Sequence, residues 1–108
     1  MVKIPENIRE IIEDYLEELK PEIKIEKAIL FGSYAKGNYR IDSDIDLAIF
    51  SDSFEDMDRV ESIKLLLKIA RRYRGIDLQP IAFTSQDYQE RLGIVEDVLR
   101  TGIEVYTN

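Results

Sequence analysis

The segment Lys27–Phe50 reads KAILFGSYAKGNYRIDSDIDLAIF, and its pattern decides the expected fold. The run Lys27–Phe31 is apolar on both faces, which is typical of a central strand covered by helices. The run Asp44–Phe50 alternates and predicts a second strand. The polar stretch Gly32–Ser43 between them predicts a loop with at most one helical turn. We therefore expect two strands that are connected through a short glycine-containing loop.

Apolar side chains at helical spacing predict two longer helices, Pro5–Lys20 and Met57–Tyr73. The expected buried stripe of the second helix is Val60, Ile63, Leu66, Leu67, Ala70 and Tyr73. Two shorter helices are expected at Thr84–Leu92, which opens with a capping-box sequence, and at Ile94–Thr101.

A third strand is expected at Ile76–Phe83. Pro80 cannot donate a backbone hydrogen bond, which favours a sheet edge or a strand end there. The closing segment Ile103–Tyr106 predicts either a last short strand or an ordered tail. This alternation indicates an α/β (α+β) fold, a small mixed β-sheet covered by helices. We expect residues 1–108 to form a single domain.

Composition excludes several kinds of site. The 108 residues include 15 basic and 22 acidic side chains, no Cys and no His. Disulfides and thiolate metal sites are therefore excluded, and any metal ion must be held by oxygen ligands. The net charge of −7 argues against broad binding to duplex nucleic acid. The start at Met1–Ile4 leads into acidic residues without the apolar core of a signal peptide, and no apolar run approaches a membrane span, so we expect a cytoplasmic protein.

Asp44 and Asp46 are the first candidate site residues. Residues two apart on a strand point to the same side, so both carboxylates face one space. A pair of this kind is often only a solvated strand end, but Ala48 and Phe50 continue the same face, which a helix should cover. Two ionised carboxylates ~4 Å apart repel by about 4 kcal/mol at an effective dielectric constant of ~20. Mg²⁺ is the natural counter-charge, because it prefers carboxylates, waters and phosphates.

Topology adds a third carboxylate, Asp77. If the first two strands are antiparallel neighbours, the end of the first lies beside the start of the second. A helix connects the second strand to the third, as a crossover between parallel strands requires. The third strand then starts at the same end of the sheet, which places Asp77 near Asp44 and Asp46.

Gly32, Ser33 and Lys36 are candidate phosphate-binding residues. Gly32 would let a phosphate approach the backbone without a β-carbon in the way. Ser33 offers a hydroxyl and an N–H at the start of a possible helical turn. Lys36 could reach a triphosphate as a point charge, although a lysine in such a place is equally often just exposed.

The array Gly32-Ser33, Asp44-Ile45-Asp46 and a later Asp77 resembles the nucleotidyltransferase superfamily that includes DNA polymerase beta. The length and the opening Phe31–Ala35 look like the minimal nucleotidyltransferase (MNT) family, antitoxin partners of HEPN-domain toxins. The resemblance covers nearly the whole chain and implies a nucleotidyltransferase fold.

The resemblance also implies a reaction. Asp44, Asp46 and Asp77 would hold two Mg²⁺ ions, and Asp77 would also be the base toward the attacking hydroxyl. Gly32 and Ser33 would hold the triphosphate of ATP. AMP would pass to a tyrosine of a HEPN ribonuclease toxin, which makes the chain the antitoxin of a type VII toxin–antitoxin pair. Neutralisation by occlusion without catalysis, a small-molecule acceptor and a homo-oligomer all stay open.

Overall fold

Four strands form one mixed sheet in the computed structural model, which describes residues 4–108. The strands are β1 (Lys27–Phe31), β2 (Ile45–Phe50), β3 (Leu78–Phe83) and β4 (Ile103–Thr107), in the order β3-β2-β1-β4. Strand β1 is antiparallel to β2 and β4, whereas β2 and β3 are parallel. The expected mixed sheet is confirmed, and the closing segment is a strand rather than a tail. Met1–Lys3, which the signal-peptide expectation used, lie outside the described residues.

Helices occupy the segments between the strands. They are α1 (Glu6–Leu19), α2 (Ser33–Lys36), α3 (Arg59–Ala70), α4 (Ser85–Glu90) and α5 (Ile94–Thr101), with a 3-10 turn at Asp52–Asp56. The expected helical turn after Gly32 is therefore present as α2. Within residues 4–108, no helix has the length and apolar character needed to cross a bilayer.

The helices cover both faces of the sheet. Side chains of α1 and α3 pack with one another and with the β-sheet residues Ala28, Leu30, Ile45, Leu47, Ile49 and Leu78. The hydroxyl of Tyr15 on α1 donates to the carbonyl of Leu66 on α3 at 2.9 Å. On the other face, Val95 and Val98 of α5 pack with Ile29, Ala48, Phe50 and Phe83. The face that Asp46 shares with Ala48 and Phe50 is thus covered by a helix, as expected.

The packing of α3 corrects one sequence expectation. Val60 and Ile63 were expected in the buried stripe, but 60% and 43% of their surfaces are exposed. The helix starts at Arg59, because the Asp58 side chain caps it by accepting the N–H of Glu61 at 2.8 Å. The buried positions of α3 are Ser62, Leu66, Ile69 and Ala70.

Two local expectations are confirmed. Strand β3, which contains Pro80, lies at an edge of the sheet. Helix α4 begins with a complete capping box, in which the N–H of Asp87 donates to the Thr84 hydroxyl at 3.1 Å and the N–H of Thr84 donates to the Asp87 carboxylate at 2.9 Å. The helix ends at Glu90 rather than at the expected Leu92.

Candidate active site

Gly32 and Asp46 are packed together where β1 ends and β2 begins. The antiparallel register pairs Phe31 with Asp46, so the residue after β1 lies against the Asp46 side chain. Gly32 has φ +75° and ψ −149°, a backbone conformation that is essentially restricted to glycine. A β-carbon at this position would overlap Oδ2 of Asp46 and lie 3.2 Å from its Cγ. The turn after β1 therefore requires glycine both for its backbone angles and for the space that the carboxylate occupies.

Asp44 and Asp77 are neighbours at the same end of the sheet. Strands β2 and β3 run in parallel with Ile45 opposite Leu78, and the N–H of Ile45 donates to the carbonyl of Asp77 at 2.8 Å. Asp44 and Asp77 thus each precede their strand at the same level. Their carboxyl groups lie within hydrogen-bonding reach of one another. The position that topology predicted for Asp77 is where the structure places it.

The three carboxyl groups influence one another electrostatically. Hydrogen bonding to Asp77 raises the pKa of Asp44 above its ordinary value, with further contributions from burial and from the charges of Asp77 and Asp42. The pKa of Asp46 is raised mainly by burial and then by the charges of Asp44 and Asp77. Both shifts have the direction expected for carboxyl groups that are partly buried or lie beside other negative groups.

These residues fit a hard divalent cation in donor type and placement. Among residues 4–108, no three carboxylates lie close enough together to form a ready-made cage. Mg²⁺, however, is usually held by one or two carboxylates, with waters and substrate phosphates completing its shell. Asp44 and Asp77 are adjacent, and Asp46 points to the same side as Asp44. Two of these carboxylates at a time can therefore supply oxygen ligands to one Mg²⁺ ion.

Ser33 and Lys36 occupy the two ends of helix α2. Ser33 is half-buried at the first position, and the first backbone hydrogen bond of the turn is donated by Lys36 to Gly32 at 3.0 Å. Lys36 is exposed and takes part in none of the four ion pairs found within residues 4–108. The structure thus brings Gly32 against Asp46 and Ser33 directly after it, while Lys36 lies one helical turn further on.

Two features of this region were not anticipated from the sequence. Gln79 donates from Nε2 to Oδ1 of Asp77 at 2.7 Å. The Tyr34 and Tyr39 rings stack with centroids 4.6 Å apart, which packs the loop after α2 back onto that helix. The spacing of Asp77 and Gln79, two residues apart on a strand, was the available signal for the first contact.

Comparison with known proteins identifies related sequences over almost the whole chain. The family model described as polymerase beta, nucleotidyltransferase matches residues 6–108. Two Methanocaldococcus jannaschii proteins, each named a "putative protein adenylyltransferase", are similar. One is 30% identical over 103 residues, covering 91% of this chain and 98% of the relative. The other is 33% identical over 104 residues, covering 93% of this chain and 99% of the relative.

Solved structures share the fold. A nucleotidyltransferase structure from Sulfolobus solfataricus, also named "putative", superposes with a TM-score of 0.72 at 17% identity, over 94% of this chain and 82% of the other. A mutant of the toxin–antitoxin MntA-HpeT gives a TM-score of 0.62 at 20% identity, over 93% and 73%. A toxin–antitoxin structure with AMP-PNP gives 0.57 at 24% identity, over 89% and 73%. The fold expected from the sequence is confirmed.

Proposed function

The chain belongs to the polymerase beta nucleotidyltransferase family and is a nucleotidyltransferase, and from that premise we propose that it transfers AMP from ATP to a protein hydroxyl. The observation that carries this proposal is the meeting of Asp44 and Asp77 beside Asp46, next to a turn that only glycine can form. The names of the two M. jannaschii relatives support a protein as acceptor.

The proposed reaction joins the acceptor oxygen to the α-phosphorus of ATP. The bond from the α-phosphorus to the oxygen bridging the β-phosphorus breaks, and pyrophosphate leaves. The carboxylate of Asp77 accepts the proton of the attacking hydroxyl, while the Gly32 backbone and the Ser33 N–H and hydroxyl bind the triphosphate. Asp44, Asp46 and Asp77 would hold Mg²⁺, which when bound offsets the negative charge that builds on the attacking and leaving oxygens.

The three carboxylates differ in burial and position, and we assign them different roles. Asp46 is half-buried and held against Gly32, which suits a fixed ligand. Asp44 and Asp77 are exposed at the mouth of the site, where an incoming hydroxyl can reach Asp77. We assign Asp46 as the anchoring ligand, Asp44 as its partner, and Asp77 as third ligand and base. Lys36 is assigned to the triphosphate as a mobile positive charge.

The acceptor that we propose is a tyrosine of a HEPN-type ribonuclease toxin, which would make this chain an antitoxin. Support comes from the names of two structural neighbours, both toxin–antitoxin structures and one with AMP-PNP. The net charge of −7 also suits a basic, RNA-cleaving partner, since opposite charge speeds encounter.

The experiment incubates this chain and Mg²⁺ with a candidate HEPN-type toxin, using ATP labelled at the α- or the γ-phosphate. We expect α-label on a tyrosine of the partner, no γ-label, and loss of labelling in Asp44→Asn and Asp46→Asn. A matched control is Asp97→Asn, an exposed carboxylate that pairs with Arg100 on α5. Neutralisation of the toxin by the two site variants without labelling would contradict catalysis and support occlusion. Labelling of an added small molecule but of no protein would contradict the proposal that the acceptor is a protein.

A further inference from the structure

Gln79 is the side chain that contacts Asp77 from within the same strand. The two residues are separated by one position, so their side chains lie on one side of β3. The amide Nε2 of Gln79 donates to Oδ1 of Asp77 at 2.7 Å. In the parallel register, Gln79 lies opposite Asp46. Gln79 is therefore placed beside the carboxylate pair without being one of the acidic residues.

The Asp77 carboxylate has little else to fix its orientation. Its backbone is held by the hydrogen bond that the Ile45 N–H donates to its carbonyl, but the side chain itself is exposed at the sheet edge. The other close group is the Asp44 carboxyl. When both are ionised they repel, which favours rotation of Asp77 toward solvent. The Gln79 amide, by holding Oδ1, opposes that rotation.

We propose that Gln79 is a positioning residue, which keeps Asp77 directed toward Asp44 and Asp46. This inference rests on the proposed function, in which Asp77 is a ligand and base. A neutral amide suits this role, because a lysine or arginine in its place would neutralise the charge that a cation and a proton require. Groups that orient a metal ligand typically contribute 10- to 100-fold in metal affinity or activity.

The test compares Gln79→Ala, Gln79→Asn and Gln79→Glu with a matched control. Gln86→Ala serves as that control, because Gln86 also donates an amide to an exposed carboxylate, Glu90, at 2.6 Å, but on α4. For Gln79→Ala we expect about a tenfold fall in kcat for AMP transfer and about tenfold weaker Mn²⁺ binding, measured by electron paramagnetic resonance with α,β-methylene ATP. The KM for ATP should stay within about twofold, since Gln79 contacts Asp77, whereas the triphosphate is assigned to Gly32, Ser33 and Lys36.

The other variants separate positioning from a general structural effect. Gln79→Asn keeps an amide and should recover part of the lost affinity, whereas Gln79→Glu removes the donor, adds a like charge and should be the most impaired. All variants should melt close to the wild type in the absence of cation, because Gln79 is exposed. Wild-type kcat and Mn²⁺ affinity in Gln79→Ala would overturn the inference. If Gln79→Ala behaves like the wild type but Asp77→Asn is inactive, the inference about Gln79 fails and the proposed function stands. If the wild type binds no cation, both the inference and the proposed function fail.

Discussion

Replacement of Gly32 by alanine tests the turn on which the site depends. The added β-carbon would overlap Oδ2 of Asp46, and the backbone angles of φ +75° and ψ −149° are unfavourable for any residue with a side chain. Gly93 provides a matched control, since it has φ +57° and ψ −127°, also precedes a helix, and a β-carbon there would meet nothing within 4 Å. The two substitutions share the backbone cost and differ in the contact with Asp46.

The magnitudes follow from this difference. A residue with a side chain in this backbone region costs about 2 kcal/mol, which is the expected loss of unfolding free energy for Gly93→Ala. Forcing the Asp46 carboxylate out of its rotamer adds about 1 kcal/mol, so Gly32→Ala should lose about 3 kcal/mol. For a domain of this size, the melting temperature should fall by about 8 °C in Gly93→Ala and by about 12 °C in Gly32→Ala.

Activity should separate the two variants more sharply than stability. A catalytic group moved by about 1 Å can cost about 100-fold in rate. Measured at 20 °C on folded protein, AMP transfer by Gly32→Ala should fall at least that far, while Gly93→Ala stays near the wild type. Urea denaturation and the α-label assay provide both numbers. Equal losses of stability in the two variants, with transfer retained in Gly32→Ala, would refute the close packing of Gly32 against Asp46.

Three further predictions use stability alone. Without divalent cation, the unfolding free energy should fall as the pH rises above the ordinary aspartate pKa of 3.8, because burial and then the charges of Asp44 and Asp77 raise the folded-state pKa of Asp46. Asp46→Asn should weaken this fall. A pH profile of stability that is the same in Asp46→Asn and the wild type would contradict the raised pKa. Tyr15→Phe should lose about 1 kcal/mol of unfolding free energy in urea denaturation, because the buried hydroxyl donates to the carbonyl of Leu66. An unchanged unfolding free energy would contradict a stabilising role for that hydrogen bond. Thr84→Ala should also lose about 1 kcal/mol through the capping box, whereas Thr84→Ser, which keeps the hydroxyl that accepts the Asp87 N–H, should lose less; equal losses would argue against the box.

The sequence was sufficient to predict how the site assembles. The period-two pattern placed Asp44 and Asp46 on one side, and the helix between the second and third strands implied parallel pairing, which put Asp77 beside Asp44. Pro80 indicated the edge strand correctly. These predictions succeeded because each depends on strand alternation or on chain connectivity, both of which are readable from residue order.

Other features depend on geometry that residue order does not specify. The rotation of α3 about its axis is set by its packing against the sheet and α1, which buries Ser62, Leu66, Ile69 and Ala70 and leaves Val60 and Ile63 exposed. The contact between Gln79 and Asp77 depends on one side-chain rotamer. The roles of the carboxylates, the Mg²⁺ ions and the HEPN-type partner stay predictions, as does the single domain over residues 1–108.

Divalent-cation binding in the presence of α,β-methylene ATP tests the central claim most directly. Calorimetric titration with Mg²⁺ should show uptake by the wild type and by Asp97→Asn, and at least tenfold weaker uptake by Asp44→Asn, Asp46→Asn and Asp77→Asn. Binding by Asp77→Asn that equals the wild type would contradict a site shared by all three carboxylates.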